Sequence, residues 1–150
     1  MKRRTFLLKS ASTAFGFQVV SSHVLRAAEG QNTPNNKIRI AAIGCGGQGG
    51  ADLGAMAGEE IVALCDVDDR RAAGSFKKFP KAKRFKDFRK MYDAVGDQID
   101  AVLVATPDHT HAVAIMGAIG RGKHVYSEKP LAHSVAEVRT LRAAALQKKV

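Results

Sequence analysis

From Lys37 onward, apolar positions follow two rhythms that alternate along the chain. Short apolar runs at Ile38–Ile43 and Ile61–Cys65 read as strands, and the nearly unbroken run from Ile99 to Ala105 reads as a strand buried on both faces of a parallel sheet. Lys83–Phe85 and His124–Tyr126 read as two shorter strands. Between them, apolar residues recur at helical spacing. One helix starts in a glycine-rich turn and runs through Leu53 and Met56. A second covers Asp68–Phe79 and stops before Pro80, because the residue preceding proline is driven out of the α region. The pattern places further helices at Phe88–Val95, His111–Ile119 and Ser134–Gln147, the last with apolar positions at Val135, Val138, Leu141, Ala145 and Leu146. Strands alternating with helices across short turns predict right-handed βαβ units, and hence an α/β fold with a doubly wound parallel sheet. No internal repeat or low-complexity tract interrupts this plan.

The junction between the first strand and the first helix carries the chemistry. Gly44, Cys45, Gly46, Gly47, Gln48 and Gly49 form a GxGxxG turn, and Asp66 closes the next apolar run. The first glycine permits the tight turn, the second lets backbone amides approach a pyrophosphate, and the third lets helix and strand pack closely. The following helix supplies unpaired amides and the positive end of its dipole. Glycine-rich turns alone are common, but a strand before, a helix after and an acid at this distance specify a Rossmann-type dinucleotide-binding domain over residues 37–150. Asp66 is placed to accept hydrogen bonds from the adenosine ribose. A carboxylate there repels a 2′-phosphate, which favours NAD over NADP. Arg70 and Arg71 keep NADP as the second reading, against the simpler one of solvated arginines in a first helical turn.

The amino-terminal residues change the picture of compartment. Residues 1–28 read as a targeting segment: Lys2, Arg3, Arg4 and Lys9 flank Phe6, Leu7 and Leu8, and a mildly apolar stretch then runs to Leu25 before Arg26, Ala27 and Ala28. Paired arginines followed by Phe and Leu resemble a twin-arginine signal. The stretch holds Gln18, Ser21, Ser22 and His23, too polar and short for a transmembrane helix. Cleavage is expected near Ala27 or Ala28, with an uncleaved membrane anchor as the alternative. Export by this folded-protein route, through the twin-arginine machinery to the periplasm, suits a protein that must load an intracellular nucleotide before crossing. Residues 29–36 are polar and turn-forming, and read as a linker.

The net charge of +10 suggests a nucleic-acid partner until it is divided along the chain. Residues 1–28 hold basic side chains and no acids. Much of the remaining surplus sits between Lys77 and Lys90, interleaved with Phe76, Phe79, Phe85 and Phe88. Those aromatics read as buried faces of a short strand and helix, with the lysines solvated, so no nucleic acid is expected. Cys45 and Cys65 read as unpaired small residues, although a disulfide between neighbouring strand ends is the alternative in an oxidising compartment. No metal site is expected, because Asp108, His109 and His111 lack a third convincing ligand in a closed geometry.

A second stretch is more specific. Ala105, Thr106, Pro107, Asp108, His109, Thr110 and His111 are followed by Gly122-Lys123-His124-Val125-Tyr126-Ser127-Glu128-Lys129-Pro130-Leu131-Ala132. With the glycine turn, this pattern resembles the Gfo/Idh/MocA oxidoreductase family over essentially all of residues 37–150. The resemblance implies that Thr106 and Pro107 border the nicotinamide ribose, that Glu128 helps hold the cofactor, and that Lys129 reaches the substrate hydroxyl as the catalytic residue. It implies that Pro130 occupies a position that is often cis. A lysine at the carboxyl end of a parallel strand also faces the crevice where open α/β sheets bind ligands. Partly desolvated there, it could polarise an alcohol or carbonyl. A surface lysine paired with Glu128 is the plain alternative. His109 and His111 are the weaker cofactor-facing candidates, since either could face the cofactor, against a capping or solvent-facing position at a helix start.

The chain stops at Val150, where a sixth strand is expected to start, and the family's carboxyl-terminal α/β domain is absent from it. The expectation is therefore the nucleotide-binding part of an exported sugar or polyol oxidoreductase, inactive at this length and oligomeric only with the missing domain. An NAD-dependent glycoside hydrolase of the same family and a nucleotide-binding remnant without catalysis are the other two readings.

Overall fold

The computed structural model describes residues 37–150. The expected signal and linker, residues 1–36, lie outside them. Five strands, β1 (Arg39–Ile43), β2 (Glu60–Cys65), β3 (Lys83–Phe85), β4 (Ala101–Val104) and β5 (His124–Ser127), form one parallel sheet in the order β3-β2-β1-β4-β5. Five helices connect or follow them: α1 (Gln48–Ala55), α2 (Asp69–Lys78), α3 (Phe88–Val95), α4 (Asp108–Gly120) and α5 (Val135–Lys148). This is the doubly wound α/β arrangement read from the hydrophobic pattern. Among the described residues, no helix is long and apolar enough to cross a membrane.

The alternation of side chains along each strand splits the core in two. Ala41, Ile43, Ala63, Cys65, Val102 and Val104 face α3, α4 and α5, where Met91, Tyr92, Ile115, Ile119 and Leu141 are buried. Ile40, Ala42, Leu64 and Leu103 face the opposite way, onto Leu53 of α1 and Ala72 and Phe76 of α2. Full burial of a side chain such as Leu53 contributes roughly 1.5–3 kcal/mol. The basic segment fits this frame: Phe76 is buried, while Phe79, Phe85 and Phe88 are half-buried against the two cores. The surrounding lysines are exposed.

Register matters most for the site. Ile43 pairs with Cys65 and Val104, Cys65 with Phe85, and Val104 with Ser127. All five strands therefore end on one level row. The next residue of each chain segment, Gly44, Asp66, Lys86, Ala105 or Glu128, emerges along a single edge. Backbone bonds extend the ladder one step further, from Gly44 N to Cys65 O (2.9 Å), Ala105 N to Ile43 O (2.9 Å) and Glu128 N to Val104 O (2.9 Å). At the opposite end, the Asp100 carboxylate accepts from the Arg39 amide and guanidinium at 2.8–3.1 Å and locks β1 to β4.

Two boundaries differ from the sequence expectation. Strand β4 is shorter than the apolar run 99–105, although backbone bonds carry the ladder one residue past each end, from Asp100 N to Arg39 O at 2.8 Å and from Ala105 N to Ile43 O at 2.9 Å. Helix α4 starts at Asp108, one turn before the expected His111. Pro107, with φ −58°, stands at the cap, the Thr110 hydroxyl donates to its carbonyl at 2.8 Å, and Asp108 places a negative charge in the first turn.

Candidate dinucleotide site

The glycine turn is shaped by protein contacts on three sides. Gly44 adopts φ +83°, and a Cβ there would stand 2.5 Å from the Ala105 carbonyl oxygen. A Cβ on Gly49 would run into the Gly44 carbonyl, so only glycine lets α1 approach the end of β1. At Gly46 the obstacle is the Arg71 carbonyl oxygen of α2, 2.8 Å from an added Cβ. The close approach that Gly46 allows is thus to a helix of the same chain as well as to the space above the turn. Gly47 (φ +54°) precedes α1 and offers no side-chain cap, which leaves the first-turn amides to other acceptors.

Asp66 is joined to this turn directly. Its Oδ2 accepts from the Cys45 amide at 2.8 Å and its Oδ1 from the Asp68 amide at 2.9 Å. The Ser75 hydroxyl of α2 donates to the Cys45 carbonyl at 2.6 Å and braces the turn from behind. Cys45 and Cys65 are both buried free thiols. The Cys45 sulfur points at the Cys65 carbonyl, 3.5 Å away. Burial foremost, and then the negative charge of Asp66, pushes each thiol pKa up to about 12.

A cleft of about 420 Å³ opens where strand order reverses between β1 and β4. Gly44, Gly46, Asp66, Arg71, Thr106 and Pro107 line it, as do Lys86, Phe88, His109 and Thr110. The Thr106 hydroxyl is buried and has no partner among the described residues. A level strand edge, a glycine turn that a side chain would close, a half-buried carboxylate and an orphaned hydroxyl fit an extended dinucleotide laid across the switch point. Of the other turn residues, Cys45 and Gly47 line a smaller recess behind the turn with Arg71 and Lys78. The Gln48 amide is engaged with Asp52 at 2.8 Å.

Glu128 and Lys129 emerge one strand further along the edge and do not line this cleft. Lys129 is exposed and makes no ion pair among the described residues, so the plain pairing with Glu128 does not form. Nor do the described residues desolvate it. The Lys129–Pro130 peptide bond is cis. His111 departs from both expectations held for it. It is 1% exposed, and its ring nitrogens lie 2.6 Å from the Thr106 carbonyl oxygen and 2.8 Å from that of Pro130. It therefore neither caps the helix in solvent nor turns a nitrogen to the cleft. On the exposed side, Asp108 lies 3.4 Å from His133 Nδ1, and this contact, followed by the His109 amide, holds its carboxyl below the ordinary range. Among the described residues no group of three or more His, Cys, Asp or Glu could hold a metal ion.

Residues 38–150 match the sequence profile described as an oxidoreductase family with an NAD-binding Rossmann fold, Gfo/Idh/MocA. The chain belongs to that family. Gfo/Idh/MocA relatives include the inositol 2-dehydrogenase of Rubrobacter xylanophilus, 34% identical over 110 residues that make up 70% of this chain and 30% of that protein. The inositol 2-dehydrogenase of Acidothermus cellulolyticus is 36% identical over 110 residues, 68% of this chain and 30% of the relative. Among solved structures, the WlbA dehydrogenase of Bordetella pertussis, in complex with NADH and UDP-GlcNAcA, superposes with a TM-score of 0.66 at 28% identity. The match covers 76% of this chain and 35% of that one. An NAD-binding oxidoreductase from Klebsiella pneumoniae gives 0.66 at 30% identity, covering 76% and 33%. The chain thus spans about 30% of the length of the inositol dehydrogenases it matches.

The described residues are the NAD-binding domain of a Gfo/Idh/MocA protein. Within it, Ser75 had no sequence signal as a brace of the turn, since a serine on a helix following the second strand is an ordinary surface choice, and Arg71, singled out only as an arginine that could meet a 2′-phosphate, also backs the turn through its main chain. Lys86 and Phe88 were legible only as members of the basic, aromatic segment. Their place in the cleft follows from Lys86 being the first residue past the end of β3.

Proposed function

We propose that the chain is the cofactor-binding part of an exported oxidoreductase that moves hydride between NAD and a hydroxyl-bearing carbon of a sugar or polyol. The observation that carries this reading is the level strand edge, along which Asp66, the glycine turn, Thr106 and Lys129 follow one another. Asp66 would take the adenosine ribose, the turn and first-turn amides of α1 the phosphates, and Thr106, Pro107 and Glu128 the nicotinamide half. When bound, NAD supplies the hydride acceptor. Lys129, with an uncommitted ammonium beside the crevice, would hydrogen-bond the substrate oxygen and stabilise negative charge developing there. The inositol dehydrogenases among its relatives support a polyol as substrate class. Asp66 favours NAD over NADP. The twin-arginine-like segment in residues 1–28 supports export to the periplasm, through the twin-arginine machinery, with cofactor already loaded.

The test pairs binding with turnover in a full-length protein carrying this domain. NADH should raise the melting temperature, and oxidation of inositols or sugars should appear as NADH absorbance. Lys129→Met should leave NADH binding within about twofold and lower kcat by about a hundredfold or more, the range for loss of a proton-handling group. Unchanged turnover in that variant would remove Lys129 from the chemistry, and no nucleotide-induced shift would remove the function.

A further inference from the structure

The strand ladder between β4 and β5 ends with the bond from Glu128 N to Val104 O. Beyond it the two segments separate into Thr106–Pro107 on one side and Lys129–Pro130 on the other. One buried side chain spans the gap. His111, in the first turn of α4, holds the Thr106 carbonyl at 2.6 Å and the Pro130 carbonyl at 2.8 Å. Carbonyl oxygens only accept, so whichever nitrogen carries the proton, the ring donates to one wall, and to both walls when doubly protonated. His111 itself is 1% exposed, so its ring nitrogens have few other partners within reach. The second link across the same gap, His133 to Asp108 at 3.4 Å, is solvent-exposed and longer.

What the ring joins is informative. Thr106 carries the buried, unpartnered hydroxyl of the cleft, and Pro130 directly follows the uncommitted Lys129. With Asp66 at the adenosine ribose and the glycine turn at the phosphates, a dinucleotide reaching past the turn brings its nicotinamide half to these two segments. We propose that His111 is a positioning residue for the nicotinamide end of the site, setting the distance between the Thr106 wall and the Lys129 wall without touching the ligand. This rests on the dinucleotide reading above. A displacement of such walls by an ångström or less is enough to misplace a reacting group.

The experiment compares NADH with ADP-ribose, which has the same adenosine and phosphates but no nicotinamide. Both dissociation constants are measured by titration calorimetry for the full chain, for His111→Phe, which removes both ring nitrogens, and for His111→Gln, whose amide can restore a donor. We expect NADH to weaken about tenfold in His111→Phe, the equivalent of about one hydrogen bond. ADP-ribose should change by less than about twofold, and His111→Gln should recover part of the NADH affinity. Equal weakening of both ligands would mean a merely structural histidine and would overturn the proposal, as would unchanged NADH binding. If His111→Phe does not fold, His111→Gln carries the same comparison. Protection of a ring N–H from solvent exchange in the unaltered chain is the second readout, and a freely exchanging ring overturns the brace. A chain that binds neither ligand refutes the dinucleotide site itself, an outcome distinct from loss of selectivity between the two.

Discussion

Replacing Asp66 with asparagine changes one oxygen to an amide nitrogen and tests two roles at once. Both carboxylate oxygens face backbone amides, from Cys45 at 2.8 Å and Asp68 at 2.9 Å. Asparagine keeps one acceptor and turns a donor toward the other N–H, so one of the two charge-assisted bonds is lost. Bonds to charged groups contribute about 1.5–3 kcal/mol, and a half-buried site argues for the middle of that range, about 2 kcal/mol. With an unfolding entropy of about 2.1 cal/mol/K per residue over roughly 110 residues, that lowers Tm by about 9 °C. The same substitution removes the charged acceptor proposed for the ribose, which should weaken NAD by about ten- to a hundredfold. Melting with and without NAD, together with NADH fluorescence titration, measures both. Ser134→Ala is the control, because Ser134 caps α5 through the Glu137 amide outside the cleft, and its loss should cost about 1 kcal/mol of stability without affecting NAD. An Asp66→Asn chain that melts and binds like the unaltered one would refute the argument. Lower melting with unchanged affinity would leave Asp66 as a tie for the turn only.

Two further outcomes follow from the same geometry. Gly44→Ala must hold an L-residue at φ +83° and move the Ala105 carbonyl, which lies 2.5 Å from the new Cβ. The conformational part alone is about 1–2 kcal/mol. Urea melts should show a loss of at least that size together with weakened NADH binding, and a smaller loss would mean that the turn relaxes freely. The thiols set an alkaline limit. Cys45 and Cys65 titrate near 9 when unfolded and are pushed up to about 12 when folded, so above about pH 9 the unfolded chain binds fewer protons than the folded one. Stability should therefore be flat to about pH 9 and fall between 9 and 12. The fall is at most about 1.4 kcal/mol per pH unit for each thiol, less where water reaches the site. Burial also raises the Tyr92 hydroxyl, which acts in the same direction. Urea midpoints equal at pH 7.5 and 10.5 would contradict this.

The sheet was legible because its code is local. Apolar runs, a glycine turn and Pro80 placed the five strands and most of the helices within a residue or two of where they lie. Asp66 was legible from its place at the end of the second apolar run, and Thr106 and Pro107 only through the family resemblance; all three line the cleft because strand ends in a parallel sheet share one edge. His111 was not. Its partners are main-chain carbonyls, one of them nineteen residues away in a loop, and carbonyls leave no trace in residue type. The start of α4 was misplaced for a related reason. Thr106 and Pro107 signal the end of a strand, while the helical role of Pro107 as a cap shows only once Asp108 and Thr110 are seen folding back on it. The link from the Cys45 amide to Asp66 likewise joins two recognised features in a way that spacing alone does not specify.

That link, with the Ser75 hydroxyl on the Cys45 carbonyl and the two glycine contacts to Ala105 and Arg71, fixes the turn through the folded core. A loop already held in this way has little freedom left to surrender when a nucleotide arrives. Association should then resemble a key entering a cut lock, with fast on-rates and a modest heat-capacity change that reflects desolvation of the cleft and no ordering of the chain.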